Sequence, residues 1–214
     1  MYIEITNLTK KIKSAVVLND VSMRLEQGKI YGIQGKNGSG KTMLMRAICG
    51  LISSTEGKID INGDILGKDI SFPKSIGVLI ESPSFIGGYN GFRNLKVIAE
   101  IKGIIDDNKI KEVISLVGLD PNDKKKYKKY SLGMKQRLGI ACAIMENPDI
   151  VLLDEPINAL DENGVKLIRE ILSDLKEKGI IVLVACHDKE ELELLSDEIF
   201  TMEGGKIVQH KEVI

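Results

Sequence analysis

The segment Gly35-Lys36-Asn37-Gly38-Ser39-Gly40-Lys41-Thr42 carries the clearest potential for chemistry in the sequence. It follows the apolar run KIYGIQ and precedes the helix-like MLMRAICG, so a strand, a glycine-rich loop and a helix succeed one another. Glycines let the loop curl so that backbone N–H groups point at an anion, and the helix N-terminus adds positive potential. The pattern predicts a phosphate-binding loop for a nucleoside triphosphate. The expected contact residues are Gly35, Asn37, Gly38, Ser39, Gly40, Lys41 and Thr42.

Two residues of this loop and two residues far along the chain predict a metal site. The Lys41 ammonium can reach the β- and γ-phosphates, and the Thr42 hydroxyl can be a ligand of Mg²⁺. The buried apolar run IVLL ends in Asp154 and Glu155. Because side chains alternate along a strand, we expect these two carboxylates to point in different directions. Asp154 would then hold Mg²⁺ through water, and Glu155 would polarise the water that attacks the γ-phosphate.

Composition and charge narrow the class of protein. The chain has 214 residues, of which 43% are hydrophobic and 29% are charged, so it can bury a core as one domain. Thirty basic and 31 acidic residues leave a net charge of -1, and no overall field attracts nucleic acid or an anionic membrane. The run from Lys124 to Tyr130 carries five lysines and two tyrosines. We interpret it as a solvated surface rather than a nucleic-acid site.

The cysteines and the apolar runs indicate a compartment. Cys49, Cys142 and Cys186 are odd in number, widely spaced and set among apolar neighbours, which favours buried, reduced thiols over disulfides or a metal site. No apolar run reaches the roughly 18 residues that span a bilayer, and MYIEITNLTK lacks the regions of a signal peptide. We therefore expect a cytoplasmic protein that reaches any membrane through a partner.

Apolar runs and helical periods alternate along the chain, which is typical of an α/β fold with a largely parallel sheet. The expected strands are 2–7, 29–34, 76–80, 149–153 and 180–185, and the expected helices are 41–50, 92–102, 108–118, 132–145, 162–177 and 188–195. Antiparallel edge strands are expected at 17–26, 56–61 and Glu198 to Gln209. The helix-rich middle predicts a helical lobe at 85–145 within a single domain whose catalytic core is 1–84 and 146–214.

Three further segments complete a resemblance to a known family. Tyr130 to Arg137, YSLGMKQR, resembles a degenerate copy of the LSGGQ signature of ATP-binding-cassette (ABC) ATPases, with Ser131 and Gly133 matching. The departures from that motif are Tyr130, Leu132 and Met134. Asn158 to Asp161 is similar to the D-loop of the family, and Ala185 to Asp188 is similar to the segment that carries its switch histidine. Ser131 is, by residue type alone, also a good N-cap for the helix that follows it.

The resemblance implies a fold and an assembly. The fold would be a phosphate-loop NTPase of ABC ATPase type, with a RecA-like, mainly parallel sheet, an antiparallel β edge and a helical lobe. ATP and Mg²⁺ would lie between the phosphate loop of one subunit and the signature helix of another, in a head-to-tail homodimer or heterodimer. Ser131 and Gly133 would then contact the γ-phosphate across the interface, and His187 would bridge that phosphate and the partner subunit.

Two positions depart from the pattern of the family. The aromatic residue that stacks on adenine falls near Ile12, where Val16 and Val17 are also aliphatic, so weak recognition of the base is expected. In the segment VLIESPSF, Glu81 stands where the family usually has glutamine. The resemblance implies that this loop touches both the metal site and a membrane-spanning partner. We therefore expect Glu81 to act as a metal ligand and as a catalytic residue that couples hydrolysis to the partner.

The pattern IGVLIESPSF is similar to ABC ATPases of the bacitracin-resistance and lantibiotic-immunity type, whose partners are separate permeases. This resemblance implies an ATPase that powers export of an antimicrobial peptide or amphiphilic drug. Heme export or cofactor assembly is the alternative, since those subunits are also short single cassettes. An ABC protein of translation would normally carry two cassettes, and a chromosome or repair ATPase would need a long coiled coil. The expected location is the inner face of the cell membrane, through a membrane permease, with no nucleic-acid partner.

Overall fold

The computed structural model describes residues 1–213, in which strands and helices alternate. The strands are β1 (Tyr2–Ile12), β2 (Ala15–Glu26), β3 (Lys29–Gln34), β4 (Glu56–Ile61), β5 (Asp64–Ile65), β6 (Ile76–Leu79), β7 (Ile150–Asp154), β8 (Ile181–Cys186), β9 (Glu198–Glu203) and β10 (Lys206–Glu212). The helices are α1 (Lys41–Ile48), α2 (Gly91–Lys102), α3 (Asp107–Leu116), α4 (Leu132–Ile144), α5 (Glu162–Glu177) and α6 (Lys189–Leu195). Each expected helix is confirmed to within two residues at either end.

The main sheet has six strands in the order β10-β9-β3-β8-β7-β6. All neighbours are parallel except β10, which pairs antiparallel with β9. The expectation that 198–209 forms only an antiparallel edge was therefore wrong for β9, which lies parallel beside β3 with Phe200 opposite Ile33. The physical reason is that α6 provides the crossover that a parallel neighbour requires.

The second sheet is antiparallel and has the order β2-β1-β4-β5. The expected strand at 2–7 is too short, because β1 continues to Ile12 and pairs with Ala15 at the start of β2. Register shifts between β1 and β2 interrupt this pairing at several places, which bends the hairpin. The hairpin thereby places Val16 and Val17 beside the glycine-rich loop.

Two apolar clusters cover the two faces of the main sheet. Along β7, Ile150 and Leu152 pack with the antiparallel sheet and α1, whereas Val151 and Leu153 pack with α4 and α5. This alternation follows from the two-residue period of a strand. Because buried residues of α2, α3 and α4 belong to the same cluster as Val151 and Leu153, the helical middle shares its core with the sheet. The boundaries of the lobe at 85–145 stay a prediction.

The three cysteines of residues 1–213 differ in burial. Cys49 and Cys186 are buried, Cys142 is half-buried, and all three are free thiols. Burial raises the pKa of Cys142 and of Cys186 to about 11, so both are protonated at neutral pH. In this part of the chain no helix combines the length and the apolar character needed to cross a membrane.

The packing of α4 on β6 generates a stability prediction. A Cβ at Gly77 would overlap the backbone carbonyl of Ala143, which cannot rotate away as a side chain can. We expect Gly77→Ala to lower the free energy of unfolding by about 1 to 3 kcal/mol, the usual cost of overpacking. Urea denaturation measures this change. Gly88→Ala is the matched control because a Cβ there meets nothing within 4 Å, and equal midpoints for both variants would contradict the prediction.

Candidate active site

The glycine-rich loop lies between the carboxyl end of β3 and the start of α1 at Lys41. Gly38 and Gly40 have φ values of 81° and 110°, a region that glycine adopts without steric cost. The first N–H groups of a helix have no partner within that helix, and among the described residues no side chain caps α1. The loop therefore presents backbone donors to an anion in the cleft that also borders Val16, Val17 and Gly205.

Two polar side chains inside the loop fit a phosphate ligand. The buried Lys41 side chain donates from Nζ to the Gly35 carbonyl at 2.6 Å, so the loop holds its cation in place. The Ser39 hydroxyl is buried and finds no hydrogen-bond partner among residues 1–213. An unpartnered buried hydroxyl is costly, and a phosphate oxygen would satisfy it. The residues present thus fit an anionic ligand.

The loop and β7 meet at a hydrogen bond between Thr42 and Asp154. The Thr42 hydroxyl donates to Asp154 Oδ2 at 2.7 Å, and the Asp154 side chain is almost fully buried. Burial raises the pKa of the Asp154 carboxyl, the Thr42 hydrogen bond opposes that shift, and the neighbouring Glu155 charge adds to it. A hydroxyl and a carboxylate so close together form an oxygen pair of the kind that Mg²⁺ prefers.

Glu155 follows β7 in a left-handed conformation, with φ of 51°. Strand alternation is therefore the wrong reason for its direction, because Asp154 ends the strand and the backbone turns at Glu155. Its N–H donates to the Ala185 carbonyl at 2.8 Å, and its own carbonyl accepts from Gln136 Nε2 at 2.9 Å. These two bonds hold a conformation that costs roughly 1–2 kcal/mol for a residue with a Cβ. Its Oε2 lies 2.9 Å from Nδ1 of His187.

Glu81 lies two residues after β6 and also has a left-handed backbone, with φ of 61°. In this structure its carboxylate pairs with Arg46 of α1, Nη2 to Oε1 at 2.7 Å. The ion pair with Arg46 therefore fixes the Glu81 carboxylate, and the expected approach of Glu81 to the metal site stays a prediction. Two residues further on, the Pro83 carbonyl accepts a hydrogen bond from the Tyr127 hydroxyl at 2.6 Å, which fixes the segment from the other side.

The residues that resemble the ABC signature form a second, separate cleft with the segment after β7. Ser131 caps α4 by accepting a hydrogen bond from Met134 N–H at 3.2 Å, as its residue type predicts. A Cβ at Gly133 would come within 2.8 Å of the Ala159 carbonyl, so this close packing requires glycine. Neither Ser131 nor Gly133 lines the cleft of the glycine-rich loop in the same chain.

The structure identifies residues that sequence reasoning missed or misplaced. Arg46 carried a usable signal, because it stands four positions after Thr42 and therefore on the same face of α1. Tyr127 carried no usable signal in the sequence, because the run 124–130 is interpreted there as a solvated surface. In the structure Tyr127 and Tyr130 are buried between exposed lysines. Ile12 ends β1 and does not line the cleft.

Comparisons with known proteins agree with this geometry. The ABC transporter family profile matches residues 18–158. An uncharacterized ABC transporter ATP-binding protein of Bacillus subtilis, YybJ, is 50% identical over 99% of this chain and 97% of its own length. The bacitracin transport ATP-binding protein BcrA of Enterococcus faecalis is 37% identical over 99% of this chain and 69% of its own length. The lantibiotic transport ATP-binding protein SrtF of Streptococcus pyogenes is 36% identical, with coverages of 98% and 90%.

The fold has close counterparts among solved structures. A dimeric structure of a bacterial ABC transporter cassette superposes with a TM-score of 0.90 at 26% sequence identity and covers 99% of both chains. The expected α/β fold, with its mainly parallel sheet and antiparallel edge, is confirmed.

The unpartnered hydroxyl of Ser39 generates a prediction about nucleotide binding. Ser39→Ala should leave the free energy of unfolding of the nucleotide-free protein unchanged or raise it by about 1 kcal/mol, because it removes a buried group without a partner. The affinity for ATP should fall two- to tenfold, the equivalent of about 0.5–1.5 kcal/mol for one hydrogen bond.

Urea denaturation and isothermal calorimetry measure the two quantities. The matched control is Ser75→Ala, since the Ser75 hydroxyl accepts a hydrogen bond from Asp149 N–H at 2.9 Å, far along the sheet from the loop. The control should lose stability and keep its ATP affinity. A loss of stability with unchanged ATP affinity in Ser39→Ala would contradict the role of Ser39.

Proposed function

The chain belongs to the ATP-binding subunits of ABC transporters, and on this premise we propose that two such subunits bind MgATP head to tail and drive a separate export permease. Members of this family are ATPases that act with membrane permeases and dimerise as cassettes. The observation that carries the proposal is the meeting of Thr42, Asp154 and Glu155 at one cleft beside a phosphate loop.

In our proposal, the loop binds the phosphates and its neighbours hold the metal. Lys41 and the backbone N–H groups of Asn37, Gly38 and Gly40 contact the β- and γ-phosphates, and Ser39 gains the acceptor that it lacks. The Thr42 hydroxyl and the Asp154 carboxylate are the residues that would hold Mg²⁺, with Asp154 acting through water. When bound, Mg²⁺ would neutralise charge that develops on the phosphate oxygens.

Hydrolysis requires a base that faces the γ-phosphate. We assign this role to the Glu155 carboxylate, which lines the cleft and can accept the proton of the attacking water. His187 contacts that carboxylate through Nδ1 and would orient it. In our proposal its ring would also bridge the γ-phosphate and the partner subunit. The left-handed backbone at Glu155 sets the direction of the carboxylate, and Gln136 ties this setting to α4.

The head-to-tail arrangement is supported by the separation of the two clefts. Ser131 and Gly133 lie at the N-terminus of α4, in a cleft that the chain's own phosphate loop does not line. Helix N-termini favour anions, so a second subunit can offer its bound γ-phosphate to this surface. Each composite site would then need both chains.

We propose that the permease docks beside Glu81 and holds the protein at the inner face of the membrane. Three large apolar side chains connected to this segment are exposed. Ile86, five residues after Glu81, is 49% exposed, and Leu51, whose N–H donates to the carbonyl of Arg46, is 59% exposed. Phe72, which lies beside Gly50 at the end of α1, is also 59% exposed. Exposed apolar side chains near a functional segment are typical of a protein interface. Exchange of Glu81 from Arg46 to the metal site would connect this surface to the bound nucleotide.

The relatives named for bacitracin and lantibiotic transport favour an antimicrobial peptide, or an amphiphilic drug, as the exported cargo. They support this choice over the alternative of heme export or cofactor assembly. Both relatives cover nearly the whole of this chain, so the likeness includes the Glu81 segment and the signature segment as well as the phosphate loop.

Replacement of the base tests hydrolysis and assembly together. Glu155→Gln should bind MgATP yet hydrolyse it at least about 100-fold more slowly, because an amide cannot accept the proton. The uncleaved nucleotide should hold two chains together, so sedimentation velocity should show a dimer at saturating MgATP.

The matched control is Glu177→Gln, which changes an exposed carboxylate at the end of α5 and should behave like the parent. An unchanged hydrolysis rate in Glu155→Gln would refute the role of Glu155. A monomer at saturating MgATP would count against the head-to-tail dimer and leave the base assignment in place.

Replacement of Glu81 tests coupling to the permease. Glu81→Ala should keep ATP binding but lose permease-stimulated hydrolysis, whereas Glu81→Gln should retain a substantial part because it keeps the length and one oxygen ligand. The assay is the ATPase rate with and without the reconstituted permease. Asp64→Ala removes the carboxylate of another exposed ion pair, with Lys74, and should leave stimulation intact. Full stimulation of Glu81→Ala would show that this carboxylate does not couple the two proteins.

A further inference from the structure

Three side chains with different ligand chemistry meet at the ends of β7 and β8. A carboxylate oxygen of Glu155, the Sγ of Cys186 and a ring nitrogen of His187 all lie within 4.8 Å of one another. Within residues 1–213, this is the one group of histidine, cysteine and acidic side chains with ligand atoms assembled so closely. Cys186 has no part in the ATPase proposed above; it packs in the core, and its Sγ accepts a hydrogen bond from Asp188 N–H at 3.4 Å.

The Glu155 and His187 ligand atoms need little movement to share a metal ion, and Cys186 Sγ lies within 4.8 Å of both. Glu155 Oε2 and His187 Nδ1 are 2.9 Å apart, whereas two ligand atoms of a tetrahedral zinc ion lie roughly 3.3–3.6 Å apart, given bonds of about 2.0–2.3 Å. Cys186 is fixed in the strand and buried, while the His187 side chain is 60% exposed and can adjust. His187 also borders the open cleft beside the phosphate loop, which provides an entry path.

The ligand set discriminates between metals. A thiolate and an imidazole suit Zn²⁺ and related transition ions, whereas Mg²⁺ prefers oxygen ligands such as those of Thr42 and Asp154. Three protein ligands leave a fourth position for water, as in open zinc sites. The oxygen site at Thr42 and Asp154 and the mixed site that includes Cys186 and His187 would thus select different ions.

We propose that Glu155, Cys186 and His187 bind Zn²⁺ and that this ion inhibits the ATPase. On binding, the Cys186 sulfur forms a bond to zinc and its proton passes to the solvent, so the thiol is neither oxidised nor reduced. Binding therefore strengthens as pH rises, since a buried thiol gives up its proton with difficulty.

Inhibition rests on the proposed function, because it assumes that Glu155 is the base and that His187 orients it. A zinc ion bound to one Glu155 oxygen and to His187 would lower the basicity of the carboxylate and fix both side chains, so that Glu155 would accept a proton poorly and neither group could turn toward the phosphate. The metal site itself does not depend on that assignment. The two parts can therefore be tested separately.

Metal binding is measured first, with Co²⁺ as a spectroscopic probe of the nucleotide-free protein in thiol-free buffer. The parent should bind one Co²⁺ per chain and develop thiolate-to-cobalt absorption, and Zn²⁺ should displace it. Cys186→Ala should lose this absorption, whereas Cys49→Ala and Cys142→Ala should keep it, since those thiols lie elsewhere. His187→Gln, which retains the thiol, should bind at least tenfold more weakly. No thiolate absorption in the parent, or absorption that persists in Cys186→Ala, would overturn the site.

Inhibition is measured next, as the ATPase rate in excess Mg²⁺ at buffered free Zn²⁺. The parent should be inhibited reversibly, and Cys186→Ala should keep its basal rate while needing at least tenfold more Zn²⁺. Equal inhibition of both proteins would place the inhibiting ion elsewhere, for example at Thr42 and Asp154, and would overturn the inhibitory proposal. Cobalt binding at Cys186 without any zinc inhibition would overturn the inhibitory proposal and leave the metal site standing, whereas failure of the proposed base is detected separately by Glu155→Gln.

Discussion

Negative charge gathered at one end of the parallel strands is the constraint on which this site depends. Asp154 ends a strand of the main sheet, Glu155 and Glu81 follow strands of that sheet, and the mutual repulsion of the three must be offset before any phosphate can approach. In the structure each carboxylate has a separate resting partner. The partners are Thr42 for Asp154, His187 for Glu155 and Arg46 for Glu81. Asp154 is the buried member of the three, and because a buried carboxylate without a partner is costly, Thr42 must remain until a cation replaces it. Binding of MgATP would thus be an exchange of partners rather than the filling of a neutral cleft.

Strained backbone at two of these carboxylates connects the site to the rest of the molecule. Glu81 and Glu155 both occupy the left-handed region, and such strain persists only where surrounding bonds hold it. At Glu155 those bonds come from β8 and from Gln136 of α4, the helix that begins at the signature residues. Near Glu81 the restraining hydrogen bond comes from the hydroxyl of Tyr127, which lies just before the same helix. Movement of α4 against a partner subunit would therefore act on both carboxylates through backbone atoms.

The sequence predicted the features that depend on local pattern. It failed where contacts between residues far apart in the chain determine strand pairing and side-chain partners. The strand, loop and helix around Lys41 follow from glycine chemistry and apolar periodicity, and the helices follow from period alone. The sequence predicts an antiparallel edge at β9 because the Gly204-Gly205 turn that follows it resembles a hairpin turn. The pairing of β9 with β3 depends instead on the crossover of α6. The resting partner of Glu81 was missed for a similar reason. Arg46 and Glu81 are 35 positions apart, and a pattern of neighbouring residues cannot report such a pair.

The cleft also indicates which part of the nucleotide sets affinity. On the side of the cleft that β2 forms, the lining side chains are Val16 and Val17. Ile12 lies at the end of the hairpin and does not line the cleft. Aliphatic side chains contribute through buried area, about 25 cal/mol per Å², and have no ring face on which a base can stack. The phosphate end instead offers a buried ammonium, helix N–H groups and an unpartnered hydroxyl, and bonds to charged groups contribute about 1.5–3 kcal/mol each. We therefore expect the triphosphate to dominate binding, so that nucleotides with different bases differ little in affinity while loss of the γ-phosphate matters.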